Sequence, residues 1–163
     1  MLRVFEIKGT NLTTVSAVVT LAFINPPAAP GVGIRILRVK VSYGGAATSA
    51  QQQIQFVSQP TTFPTLISVT PSKVSQQDSV SVITGATSGA AGTCGVNASA
   101  EGAGSKVVLK GDAFNVLIGF EWVATPNEVY EFPAGTTSGF GVYFPIAPAS
   151  TNPWQVNVVY QEY

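Results

Sequence analysis

Three glutamates in the last third of the chain are the residues best suited to chemistry. Glu121 stands among aromatic residues, and Glu128 and Glu131 belong to the stretch EVYEFPAGTTSGFGVYFP at residues 128–145. Two carboxylates that converge in a cleft could act as the acid and the base of a glycosidase, and the neighbouring aromatic rings could stack on a sugar. The same stretch would also fit a structural corner of a β-fold, because prolines and glycines separate its short apolar runs.

The alternation of side chains along a strand distinguishes these interpretations. Glu121 and Glu131 are both out of phase with their aromatic neighbours, so both carboxylates are predicted to point away from the core. Glu128 follows Pro126 and Asn127, a pair that is typical of a turn. The pattern therefore favours a β-corner flanked by solvent-exposed carboxylates.

Other common catalytic and metal-binding arrangements lack their residues. The chain has no histidine and one cysteine, Cys94, which excludes Ser-His and Cys-His pairs, an intrachain disulfide and a cysteine zinc site. Asp78 and Asp112 are isolated, and the segment GAGSK at residues 102–106 does not have the phosphate-loop spacing. We predict a protein that is not an enzyme and has no catalytic residues, no cofactor and no bound metal.

The composition indicates a surface that is covered by partners. The 163 residues fit one domain, residues 1–163, and 45% of them are apolar while 10% are charged, against a usual charged share of about 25%. So few charges are typical of a protein that is buried against other proteins or against its own copies. A formal net charge of zero predicts that nucleic acid is not a partner, because binding to its backbone depends on positive charge.

The charges are unevenly distributed along the chain. Residues 1–50 carry five basic residues and one glutamate, whereas residues 111–163 carry five acidic residues and no basic one. Two interpretations follow: the N- and C-terminal strands pair within one sheet, or the acidic side of one subunit meets the basic side of its neighbour.

Period-two alternation predicts strands throughout, and no segment has a helical pattern. The clearest candidates are Val15–Phe23, Phe114–Trp122, Phe140–Ile146, Trp154–Tyr160 and Ile34–Tyr43. The alternation of Ile34–Tyr43 changes phase near Ile36-Leu37, as at a β-bulge or in a strand that crosses from one sheet to the other. Weaker candidates are Leu2–Ile7, Gln52–Ser58, Thr65–Thr70, Ser79–Thr84, Lys106–Lys110 and Glu128–Phe132. Many short strands without helices predict a jelly-roll-like antiparallel β-sandwich.

Two of these predictions are specific enough to test. The stripe Phe114, Val116, Ile118, Phe120 and Trp122 is expected to form one core-facing strand opposite Phe140, Val142 and Phe144. The segment Gly85–Ser105 holds almost no large apolar residue and is predicted to be a long extended loop that contacts a neighbouring subunit. The apolar run Val15–Ile24 is too short to span a bilayer and has no signal-peptidase pattern, so a strand is favoured there.

The last third of the chain resembles a group of phage virion proteins. The segments GDAFNVLIGFEW, EVYEFPAG, GFGVYFPIAP and WQVNVVYQEY, from Gly111 to Tyr163, are similar in order and type to the aromatic strand, the Pro-Gly corner and the final strands of single-jelly-roll decoration proteins. Tyr130-Glu131-Phe132-Pro133 is a variant of that corner, and the Gly/Ala-rich segment is not a feature of the group. The resemblance implies a homotrimer that decorates or cements a phage capsid or forms the base of a head fibre.

This resemblance implies a location on the virion surface after synthesis in the host cytoplasm, with the major capsid protein as partner and no membrane contact. The candidate subunit or capsid contacts are Arg35, Arg38, Lys40, Glu121, Glu131, Tyr143 and Tyr163. One alternative is a receptor- or carbohydrate-binding module of a phage tail or fibre, since the same fold class serves both functions. The other is an enzyme with a carboxylate pair.

Overall fold

The computed structural model describes residues 2–12, 19–28, 31–46, 48–149 and 153–163. Within these ranges the chain forms thirteen strands and no helix. The strands are β1 (Arg3–Leu12), β2 (Val19–Asn25), β3 (Ile34–Tyr43), β4 (Gln51–Gln59), β5 (Thr65–Ser68), β6 (Ser72–Lys73), β7 (Thr84–Gly85), β8 (Thr93–Ala100), β9 (Val107–Asn115), β10 (Phe120–Val123), β11 (Tyr130–Phe132), β12 (Gly139–Phe144) and β13 (Trp154–Glu162).

The strands form two sheets that pack face to face around one aromatic core. Sheet A has the order β10-β3-β13-β1-β6, with β11 also paired to β3, and sheet B has the order β5-β8-β2-β12-β4-β9, with β7 beside β8. All strand pairs are antiparallel except β7 with β8. The ring of Phe56 on sheet B lies 5.4 Å from that of Trp122 on sheet A and 5.5 Å from that of Phe140.

The order of the strands is that of a jelly roll. Strands β1 to β4 alternate between sheet A and sheet B, and so do β9, β10, β12 and β13 in reverse order of sheet. The result is a four-stranded half in each sheet, β10-β3-β13-β1 and β2-β12-β4-β9, as in two nested Greek keys. The predicted jelly-roll-like antiparallel β-sandwich is confirmed.

A long connection, residues 60–106, joins β4 to β9. It extends both sheets at the edges that lie farthest from β9 and β10. It adds β5, β7 and β8 beyond β2 in sheet B, and β6 beyond β1 in sheet A. We call it the insert. It also covers part of the outer face of sheet B, where the buried ring of Phe23 lies 5.8 Å from that of Phe63.

Strand β2 is therefore buried on both faces, although alternation of this kind usually leaves one face of a strand exposed. All seven residues of Val19–Asn25 are buried, because the core lies on one side of them and the insert on the other. Residues 15–18 of the predicted strand lie outside the described part of the chain.

The predicted extended loop Gly85–Ser105 is wrong for much of its length. It contains β8, which pairs with β2 and β5 and has five consecutive buried residues, from Cys94 to Ala98. Small residues are needed here because neighbouring backbones approach closely: a Cβ atom on Gly95 would lie 2.7 Å from the carbonyl oxygen of Ile67. Glycine and alanine at these positions reflect tight packing within the fold.

The predicted continuous strand Phe114–Trp122 is also wrong, because a tight turn divides it between the two sheets. The carbonyl of Asn115 accepts hydrogen bonds from the backbone N–H groups of Ile118 and Gly119, both at 3.0 Å, and Gly119 adopts a φ of 81°, a conformation that favours glycine. Ile118 is 87% exposed. The aromatic residues on both sides of the turn do face the core, as predicted, but only β10 lies in the sheet opposite β12, because β9 and β12 both belong to sheet B.

The phase change in Ile34–Tyr43 is a β-bulge, which was one of its two predicted explanations. Val159 of β13 pairs with Arg38 and Tyr160 pairs with Ile36, so that Leu37 has no opposite residue. The bulge brings Ile36 and Val39, an odd number of residues apart, to the same buried face.

The other strand predictions are confirmed with shifted ends, except for two segments. Within Ser79–Thr84 only Thr84 belongs to a strand, because Ser81, Val82 and Ile83 hydrogen-bond to the buried side chain of Glu162. Ile146 lies beyond β12 and is exposed.

The two chain ends pair within sheet A, in agreement with the first interpretation of the charge distribution. Strand β13 lies between β1 and β3, and ion pairs join Arg3 to Glu162 at 2.9 Å and Arg35 to Glu131 at 2.7 Å. Basic and acidic segments are thus neutralised partly within one chain.

Candidate interaction surface

The outer face of sheet A is a grid of charged and polar side chains, which we call the charged face. It consists of the outward-pointing residues Lys8, Arg35, Arg38, Lys40, Glu121, Glu131, Gln155 and Asn157, with Glu6 partly buried among them. Strand register aligns four of them in one row, because Glu121 pairs with Lys40, Lys40 with Asn157, and Asn157 with Lys8. Alternation along each strand places the apolar neighbours of these residues in the core.

Six of the seven sequence-predicted contact residues lie in sheet A or directly after its strand β13. Five are members of the charged face: Arg35, Arg38, Lys40, Glu121 and Glu131. The sixth, Tyr163, follows β13, and its ring lies 5.3 Å from the guanidinium of Arg35. Nε and Nη2 of Arg35 both lie 2.7 Å from Oε1 of Glu131, so a single carboxylate oxygen accepts two charge-assisted contacts at this corner of the charged face.

Tyr143 is not brought to the charged face. It lies on β12 in sheet B, where it pairs with Thr20 and its ring lies 4.8 Å from Nζ of Lys106. Tyr143 therefore remains a predicted contact residue that lies on a different sheet from the six others.

Glu6 is the centre of an ion-pair cluster within the charged face. Its carboxylate lies 2.5 Å from Nζ of Lys8 and 3.8 Å from Nη2 of Arg38, and it accepts a hydrogen bond from the amide of Asn157. Burial by itself would raise the pKa of Glu6, but the hydrogen bonds from Asn157 and Lys8 and the charges of Lys8 and Arg38 outweigh it and hold that pKa below its usual value. Glu6 is consequently a stable anion that neutralises part of the basic charge around it.

Lys40 and Glu121 keep their charges available for a partner. Although they are opposite each other in register, neither has an ion pair within 4.0 Å among the described residues. Both are exposed. A partner surface that carries one negative and one positive group at matching positions could form an ion pair with each of them.

A shallow cleft crosses the charged face. Its volume is about 320 Å³, and its lining includes Lys8, Arg38, Lys40, Glu121 and Gln155. The register of β1 shifts beside this cleft, between Gly9 and Leu12, where Asn11 adopts a φ of 52°. Bulges of this kind twist a sheet locally and re-aim its side chains.

The three candidate carboxylates do not line a common cleft. Glu121 lines the charged cleft, whereas Glu131 lies beyond the bulge of β3, opposite Arg35. Glu128 is exposed in a turn, where its backbone N–H donates to the carbonyl of Thr125 at 3.0 Å. The predicted outward orientation of Glu121 and Glu131 is confirmed by their exposure. Among the described residues, no group of three or more Cys, Asp or Glu side chains could hold a metal ion.

Sequence reasoning missed Glu6, Lys8 and Asn157 as members of the charged face. Their polar alternation is visible in β1 and β13, but the cluster forms only because β13 lies between β1 and β3. That register depends on pairings between residues far apart in the chain, which a single sequence does not display.

No protein-family model matches the chain, and neither a curated protein nor a solved structure matches it. A helix long and apolar enough to cross a membrane is not found in the described ranges.

Proposed function

We propose that the protein is a structural virion protein that binds the outside of a phage head and stabilises the shell by bridging major capsid subunits. The observation that carries the proposal is the contrast between the two outer faces of the sandwich. The insert covers Phe23 on sheet B, whereas the charged face of sheet A is open. The resemblance of residues 111–163 to capsid decoration proteins supplies the class of partner.

The charged face suits docking on a large rigid partner. Its Arg35–Glu131 pair and its Glu6 cluster already restrain some of these side chains in the free protein, which lowers the conformational entropy that is lost on binding. Lys40 and Glu121 offer charges of both signs, which orient a partner and select it against others. Contacts of this kind weaken as salt screens them.

The proposed assembly is a homotrimer. Since Arg3–Glu162 and Arg35–Glu131 pair within one chain, the proposal rests on the low charge content and on the resemblance. Three linked copies that each bind one capsid subunit would gain avidity through their effective concentration.

Heads purified from the phage that encodes this chain, stripped of the protein and then mixed with the purified protein, test the proposed function. We expect rebinding at a fixed number of copies per shell and a higher rupture temperature, because a ligand that binds only the closed shell stabilises it. Failure to rebind, or rebinding without any change in rupture temperature, would contradict the proposal.

The charged cleft supports a second candidate, the receptor- or carbohydrate-binding module. Its volume of about 320 Å³ is at the lower end of the range of small-ligand sites, and its cationic and amide side chains could bind an acidic sugar. A glycan array tests this alternative: specific binding that is lost in Lys40→Ala would favour it, and a blank array would favour the capsid-binding proposal.

A further inference from the structure

The two lateral sides of the sandwich differ in how their sheet edges end. On one side the insert adds β5 and β6. On the other side sheet B ends at β9, which pairs with β4 alone among the described strands, and sheet A ends at the short strands β10 and β11. Strand β9 is thus a nine-residue edge strand, Val107–Asn115, with one row of backbone groups that no described strand pairs.

Long edge strands invite pairing with other chains unless they are protected. The β9 edge has a bulge at Leu109, because Phe56 pairs with Lys110 and Val57 with Val108. Beyond the bulge the strand is regular. Val107 and Val108 at its start are 56% and 51% exposed, so the edge also presents apolar surface.

The centre of β9 has a self-complementary charge pattern, Lys110-Gly111-Asp112. Neither charged side chain has an ion pair within 4.0 Å in the described part of the chain. Among the described residues, the backbone N–H of Ala113 is the one donor to the carboxylate of Asp112, at 2.8 Å. Around Gly111, a Cβ atom would meet no other atom within 4 Å, so the centre of the strand is open to a neighbour.

We propose that β9 pairs antiparallel with β9 of a second copy of this chain, centred on Gly111. Read in opposite directions, the two strands place Lys110 opposite Asp112 of the partner subunit, and Asp112 opposite Lys110 of the partner subunit. Opposite charges directly across an antiparallel pair stabilise it, and like charges destabilise it. Two ion pairs related by a twofold axis form only with an identical copy in this register.

The same charges explain why the edge does not pair at random. Charged residues on an edge strand disfavour most foreign strands, and a pattern that is complementary only to itself in one register excludes shifted registers as well. A second copy is therefore the occupant that the charge pattern selects.

The pairing goes beyond the proposed capsid binding and does not depend on it, because it uses β9 and leaves the charged face free. The contact is isologous, so it joins copies in pairs. If the chain also forms threefold rings, this contact joins one ring to another. Its test needs only the isolated protein.

Cysteine substitution tests the register directly. In Gly111→Cys the two thiols would lie directly opposite each other, at the Cα separation of about 4.5–5.5 Å of antiparallel partners, within disulfide range. In the matched control Ala113→Cys, on the same exposed face of β9, the two thiols would lie about four residues apart along the strand, at roughly 13 Å. We expect mild oxidation to cross-link Gly111→Cys into dimers and to leave Ala113→Cys uncross-linked; no cross-linking of Gly111→Cys, or equal cross-linking of both variants, would overturn the proposal.

Charge reversal tests the same contact without a covalent bond. In Lys110→Asp, each of the two ion pairs is replaced by two aspartates that lie opposite each other. We expect self-association in analytical ultracentrifugation to weaken about tenfold. The double variant Lys110→Asp/Asp112→Lys restores opposite charges and should restore the association. Unchanged association of Lys110→Asp, or a double variant as weak as the single one, would also overturn the proposal; thermal melts check that all variants remain folded.

Discussion

The carboxylate of Glu162 is completely buried and forms an ion pair with Arg3, with 2.9 Å between Oε2 and Nη2. It also accepts the hydroxyl of Ser81 at 2.5 Å and the backbone N–H of Val82 at 3.1 Å. This single side chain therefore joins both ends of the chain to the insert.

Removal of this carboxylate should destabilise the fold strongly. In Glu162→Ala the positive charge of Arg3 and the donors of Ser81 and Val82 lose their partner, and breaking a buried pair typically costs about 3–5 kcal/mol. The matched control is Glu131→Ala, which breaks the more exposed pair with Arg35 and should cost about 1 kcal/mol or less. Urea unfolding of both variants measures the difference, and equal losses would contradict the role assigned to Glu162.

Cys94 tests whether the Gly/Ala-rich region belongs to the core. Its side chain is fully buried and donates to the carbonyl of Val69 at 3.2 Å, and burial raises the pKa of its thiol to about 12. Since the thiolate is the reactive form, we expect the native protein at pH 8 to resist a thiol reagent and the protein in denaturant to react fully. Ala113→Cys supplies an exposed thiol as the control. Rapid labelling of Cys94 in the native protein would contradict its burial and would support the extended loop that the sequence predicted.

Residues 85–105 were predicted to form an extended loop, but they contain the packed strand β8. The difference shows which features of the fold can be predicted from a single sequence. The jelly-roll-like class and the bulge at Leu37 follow from local alternation, which each strand carries in its own residues. The role of β8 does not follow from local alternation. Its small residues are required by close contact with backbone segments that are distant in the chain, such as that at Ile67. On the charged face, Lys40 and Glu121 were predictable from alternation, whereas the Glu6 cluster depended on strand order.

Phe56 should be the most sensitive aromatic residue of the core. It is 1% exposed, and its ring lies within 6.0 Å of those of Phe120, Trp122, Tyr130 and Phe140. We expect Phe56→Ala to lower the free energy of unfolding by about 3–5 kcal/mol. Phe120 is only partly buried, so Phe120→Ala should lower the free energy of unfolding by less than Phe56→Ala does.

Ile118 provides the control for Phe56. Although it belongs to the same predicted stripe as Phe120, it is 87% exposed in the turn after β9, and Ile118→Ala should change the free energy of unfolding by no more than about 0.5 kcal/mol. A large loss of unfolding free energy in Ile118→Ala would mean that Phe114–Trp122 is one continuous buried strand.

Gly139 should not accept a side chain, since a Cβ atom there would lie 2.3 Å from Cζ of Phe23. The ring of Phe23 has little room to move, because Phe63 of the insert packs on it. We expect Gly139→Ala to destabilise the protein by about 1–3 kcal/mol through overpacking. Gly111→Ala, where a Cβ atom meets nothing within 4 Å, is the control and should melt like the parent. A Gly139→Ala protein as stable as the parent would show that the insert does not hold Phe23 in place.

Co-sedimentation with purified heads of the phage that encodes this chain tests the proposed function most directly. The decisive comparison is between Lys40→Glu, which reverses an unpaired charge of the charged face, and Thr65→Glu, which adds a charge to an exposed position of sheet B. We expect the parent and Thr65→Glu to sediment with the heads, Lys40→Glu to remain largely in the supernatant, and higher salt to release the parent. Sedimentation of Lys40→Glu to the same extent as the parent, or no sedimentation of the parent at low salt, would contradict it.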